Sequence, residues 1–182
     1  MTDYIQQPTK IRVWEPLLVL LLAIAGIIYA INVFNTGDWL WFQSTALDAH
    51  PDRLRIRYYG NETFIQPGHD DYQELADVLD RAISDFNNTA LIDVGFGDET
   101  LQYFDTQGVV LELFYDNPIE FHAPFRAGNP TQILIPIEGR HAGRNYFFRG
   151  DEGVWWFGAM RMSDSTELYA TLEAMGYLHS QS

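Results

Sequence analysis

The chain has 182 residues, of which 47% are hydrophobic, and a formal net charge of -14. This size accommodates one domain beside a short extra segment, and the hydrophobic fraction is too high for intrinsic disorder. The acidity opposes binding to nucleic-acid phosphates, and the absence of cysteine excludes disulfides, thiolate zinc sites and thiol catalysis.

Residues 1–13 read as a short tail. Charges before Leu17 cancel, with Asp3 and Glu15 against Lys10 and Arg12, so all the excess acid lies further along. Lys10 is the only lysine. Leu17 to Phe34 is an 18-residue run whose one strongly polar member is Asn32. As a helix it would be about 27 Å long, close to the roughly 30 Å of bilayer hydrocarbon. Its twelve Leu, Ile, Val and Phe residues favour insertion by about 5 kcal/mol, enough to absorb Asn32. Pro16 suits a first helical turn, and Trp14, Trp39, Trp41 and Phe42 bracket the run like an aromatic belt. A cleaved signal peptide would have a shorter apolar region and a small-residue site directly after it, whereas Ser44-Thr45-Ala46 comes late. A soluble helix would show a polar face. The expectation is a transmembrane anchor over residues 14–34, in contact with the lipid bilayer through Leu17–Phe34.

Lys10 and Arg12 precede the span and only Arg53 follows it closely, so the tail is expected in the cytoplasm and the rest outside. No eukaryotic targeting pattern is visible, which points to a bacterial periplasmic or external domain. The triplets Asn61-Glu62-Thr63 and Asn87-Asn88-Thr89 match the glycosylation pattern by chance. Ala23, Gly26 and Ala30 share one side of the anchor, a spacing that lets another membrane helix approach. That face is a candidate partner interface, toward other subunits of a membrane complex or a second copy.

Residues 35–52 read as a juxtamembrane connector and 53–182 as an extracytoplasmic α+β domain. Leu54, Ile56 and Tyr58 alternate with Arg55, Arg57 and Tyr59, the period of a half-buried strand. Gly60-Asn61 marks a turn, and residues 62–66 return as a second strand. Tyr72, Leu75, Ala76, Val78, Leu79, Ala82, Ile83 and Phe86 define the apolar face of a helix, with Asp71 and Glu74 as a capping box. Short strand-like runs follow at 91–96, 100–104, 109–115, 119–122, 131–137, 145–149 and 154–161, separated by turn residues. A last helix fits Asp164 to Met175, with Asp164 and Glu167 at its start and Gly176 as its stop. The order predicts a mainly antiparallel sheet with two amphipathic helices on one face or end. A small barrel closed by the final helix, like pleckstrin-homology domains in architecture, is the rival.

The chemical signals are sparse: no nucleophile elbow, phosphate loop, H-E-x-x-H or dinucleotide fingerprint occurs. The densest basic run is "RHAGRNYFFR", where Arg140, His141, Arg144 and Arg149 with Gly139 and Gly143 suit an anion. His69-Asp70-Asp71 and the pair Glu120 and His122 hold metal-type ligands, but no spacing unites them, and no metal or cofactor is expected. Trp155, Trp156 and Phe157 in succession cannot all face a one-sided core, so they are a second candidate interface, or else the sheet is covered by helices on both sides. The preferred expectation is a non-catalytic accessory, assembly or interaction subunit of a membrane complex. An extracytoplasmic anion-binding or sensing domain, and a hydrolase using His69 or His122, are the alternatives.

Overall fold

A computed structural model describes residues 14–43 and 50–178. Its first element, α1 (Trp14–Thr36), follows from the apolar run, and its 18-residue apolar window has no buried residue. Helix α1 is therefore long and apolar enough to cross a membrane and contributes nothing to the core of the domain. It ends at Gly37, whose left-handed φ of 76° lets its N–H reach the Val33 carbonyl.

The domain is α+β. Its strands are β1 (Arg53–Tyr58), β2 (Asn61–Ile65), β3 (Val109–Phe114), β4 (Gln132–Glu138), β5 (Tyr146–Asp151), β6 (Val154–Trp155) and β7 (Met160–Arg161). They form one antiparallel sheet in the order β2-β1-β3-β4-β5-β6, with β7 also on β5. The sheet is open, since β2 pairs with β1 alone among the described strands, and the barrel is not formed. The first hairpin turns through Tyr59 and Gly60, both at positive φ, one residue earlier than the expected Gly60-Asn61. Pro136 lies in β4 beyond Leu134, the last residue of that strand paired with β5, so its missing N–H breaks no bond there.

Period-two alternation sends Leu54, Ile56, Leu111, Leu113, Ile133, Ile135 and Phe147 to one face. Two helices cover it: α2 (Tyr72–Ser84), which buries seven of the eight apolar positions expected of it, the eighth, Phe86, lying beyond its end and only partly buried, and α4 (Thr166–Ala174), which adds Leu168 and Leu172. Arg81 of α2 reaches Glu167 of α4 across the surface at 2.6 Å. The capping box of α2 is not formed. Asp71 instead accepts the Tyr177 hydroxyl at 2.8 Å, and burial, then this hydrogen bond, pushes that phenol up to about 12. At α4, Asp164 accepts from the Thr166 N–H and hydroxyl, which holds its carboxyl below the usual range. Gly176 ends the helix as expected, with Tyr177 N–H on Leu172 O and Gly176 N–H on Glu173 O.

The other face differs from expectation. Residues 98–106 are not a strand but a third soluble helix, α3 (Asp98–Thr106), and residues 91–97 are irregular, touching the sheet through a bridge from Ile92 to Ala159. Phe104 of α3 and Phe96 of the irregular segment pack on Val110, Leu134 and Phe148. Helices therefore lie on both faces of the sheet. Beside this second cluster Glu112 is almost fully buried, clasped by Arg55 and Arg57, and Arg57 also holds Asp105 of α3. Residues 119–122 form a loop, not a strand, and that loop reaches the end of α1.

Candidate functional site

Beyond α1 the chain doubles back. The Tyr29 hydroxyl donates to the Trp39 carbonyl at 2.9 Å, and its ring meets those of Trp39 and Phe42 at 6.4 Å. Tyr29 lies seven residues, or about 10 Å of helix, before Thr36, so the aromatic turn folds down alongside α1. Meanwhile the helix end enters the domain. Thr36 is buried, Arg126 donates to the Phe34 carbonyl at 3.3 Å, and His122 Nδ1 lies 2.8 Å from Asp38 Oδ2. The other Asp38 oxygen accepts the Leu40 N–H at 2.7 Å. Two features of the helix exit, the Phe34 carbonyl and the Asp38 carboxylate, are thus held by one loop.

That loop, residues 119–130, is secured from beneath by Arg149. Its side chain is 2% exposed and donates to the Ala127 carbonyl and, at 3.0 Å, to the Gly158 carbonyl. The guanidinium also lies over the Trp156 ring at 5.8 Å. No carboxylate pairs with it among the described residues, and burial pulls its pKa down to about 10. Between α1 and the loop lie two adjoining cavities, of about 230 and 330 Å³, which share Gly37, Asp38, Phe121 and Asn129. The first adds Trp39, Glu120 and His122; the second adds Arg126 and Gly128.

The expected basic run splits. Arg140, His141 and Arg144 stay together in the turn after β4, whereas Arg149 points to the opposite face of β5 and belongs to the loop support just described. Gly139 and Gly143 have φ of 94° and 71°, as a sharp turn requires. Arg140 donates to Thr100 Oγ1 at 3.3 Å and covers the Tyr103 ring. His141 packs against Phe96 and Phe148, and its pKa is lowered by burial and then by Arg144 and Arg140. Arg161 of β7 takes the place expected of Arg149. It sits over the Tyr146 ring and, with Arg144, holds the Tyr146 phenol below its ordinary value. Arg140, Arg144 and Arg161 have no carboxylate within 4 Å among the described residues.

The remaining candidates are dispersed. His69 accepts the Asp71 N–H at the start of α2, while His122 belongs to the helix exit. Among the described residues no three His, Asp or Glu side chains converge as a metal site. Trp155 is half-buried, 6.4 Å from Phe96, and Trp156 covers Arg149; Phe157 is 68% exposed. Ala23, Gly26 and Ala30 lie exposed on α1, and a Cβ at Gly26 would meet nothing within 4 Å. Sequence reasoning missed Asp38, Arg126, Asn129 and Arg161; Gly37-Asp38, with two residues between it and the end of the apolar run, was the available signal for a helix stop that can bear a contact. Comparison with protein families, curated proteins and solved structures finds no match to this chain.

Proposed function

We propose that the chain is a membrane-anchored, non-catalytic accessory or interaction subunit, with α1 retained as a single span and the α+β domain outside. The supporting observation is the junction. Cleavage after α1 would strip Arg126 of the Phe34 carbonyl, and cleavage near residue 46 would also take Asp38 from His122. A leader destined for removal has no reason to be built into the mature domain. An apolar helix exposed along its whole window also needs lipid or another helix around it.

The orientation follows Lys10 and Arg12. The face at Ala23, Gly26 and Ala30 is where another span, or a second copy, would approach most closely. Carbonate extraction with intact-mass measurement tests the anchor: a chain found soluble, or beginning beyond Thr36, refutes it. Photo-crosslinking from position 26 against position 21 in mild detergent tests the partner, and a monomer with no crosslink from either position refutes it. A second reading, anion binding outside the membrane, is favoured by Arg140, Arg144 and Arg161, which among the described residues have no carboxylate within 4 Å in an acidic chain.

A further inference from the structure

We propose that the cleft at the exit of α1 binds the headgroup of a zwitterionic phospholipid, with its phosphate on Arg126 and its amine at Glu120 and Trp39. This rests on α1 being a retained span, which places the cleft at headgroup depth. Trp39 and Phe42, 69% and 58% exposed and folded against Tyr29, mark that depth in the manner of interfacial aromatics.

Both adjoining cavities are lined by Asp38, but Arg126 lines only one of them and Glu120 only the other. In one, the exposed guanidinium of Arg126 gives one N–H to the Phe34 carbonyl, its other donors have no hydrogen-bond partner among the described residues, and the side chain lines the space together with Gly128 and Asn129. A phosphate fits this fork. In the other, Glu120 has no ion-pair partner among the described residues, while Asp38 is already committed to His122 and the Leu40 N–H. An ammonium beside Glu120 would also meet the Trp39 ring. A headgroup that carries a phosphate and an amine on one short linker offers one group to each of these adjoining cavities, and its acyl chains would run down the exposed apolar surface of α1. A net anionic headgroup would leave Glu120 unpaired, in a chain whose net charge of -14 already repels it.

The full chain in nanodiscs of equal phosphatidylethanolamine and phosphatidylglycerol, stripped and weighed by native mass spectrometry, tests this. The wild type is expected to retain one zwitterionic lipid about tenfold over the anionic one, the scale of a single charged contact. R126Q should lose the retained lipid, and E120Q, which breaks no hydrogen bond or ion pair among the described residues, should lose the discrimination. Glycerophosphoethanolamine should compete for the site and inorganic phosphate should not. Equal retention of both lipids, an R126Q chain that retains lipid like the wild type, or displacement by phosphate alone would overturn the inference. A chain that fails to enter nanodiscs refutes the anchor reading instead.

Discussion

Replacing Arg149 separates two effects that oppose each other in the structure. In R149M the charge is gone, the volume is largely kept, and the carbonyls of Ala127 and Gly158 lose their donor. Each buried orphaned acceptor costs about 1–3 kcal/mol, so the pair costs roughly 4 kcal/mol, and the lost contact with Trp156 adds about 1 kcal/mol. Against this stands relief from burying a cation without a carboxylate. Its pKa of about 10 against an ordinary 12.5 corresponds to roughly 3 kcal/mol of desolvation relieved. The balance is a loss of about 2 kcal/mol for R149M, and about 4–5 kcal/mol for R149A, which also leaves a cavity. Thermal unfolding of the full chain in detergent, followed by tryptophan fluorescence, should show a fall in Tm of about 4–8 °C for R149M and roughly twice that for R149A. An R149M chain as stable as the wild type, or more so, would refute the reasoning. The guanidinium would then be a net liability and the carbonyls would find water.

At Glu112, truncation to alanine leaves Arg55 and Arg57 facing each other without their shared carboxylate in a buried site, and a loss of about 3–5 kcal/mol in urea unfolding is expected. His141 has a lowered pKa in the folded chain. The unfolded chain therefore takes up the proton first, and stability present above about pH 6.5 should be lost as pH falls through the folded value. A pH series of Tm between about 7.5 and 5.5 should steepen for the wild type relative to H141Q; parallel curves would refute this. G139A places a Cβ 2.4 Å from the Tyr103 hydroxyl at a φ of 94°, whereas G143A, also left-handed, meets open space. Both should be destabilised by about 1 kcal/mol or more, with G139A clearly the worse by thermal unfolding.

What the sequence revealed of the fold was whatever repeats at a fixed period. Helix α2 was legible because seven apolar residues recur on one face and all seven are buried. Strands β3, β4 and β5 were legible as apolar runs bounded by turn residues, and the hairpin through its alternation. Helix α3 was not, because in nine residues it buries only Thr100 and Phe104, and the intervening Leu101 and Tyr103 resemble a strand. The helix-exit site was illegible for a different reason. His122 and Asp38 are 84 residues apart, and Arg126 and Phe34 are 92 apart, so no local pattern joins them. Arg149 was grouped with Arg140 and Arg144 because they are neighbours in the chain. One strand register then put it on the opposite face of β5 from Phe148, where carbonyls rather than an anion receive it.

The same contacts bear on how the domain is carried. A connector of eighteen residues, 35–52, would on composition alone let the domain swing about α1. Yet α1 is already held by Arg126 at Phe34 and by His122 at Asp38 before the first strand begins, and the loop providing both groups is held through Ala127 by Arg149 of β5. Packed and hydrogen-bonded in series, these elements make the tilt of α1 and the orientation of the sheet one variable rather than two. D38N weakens the link to His122 without touching the sheet. Single nitroxides at positions 28 and 64, introduced into a chain with no native cysteine, should therefore show a broader distance distribution in D38N than in the wild type. Equally broad distributions in both would mean that the clasp does not fix the domain, and that the orientation of α1 carries no information to the sheet.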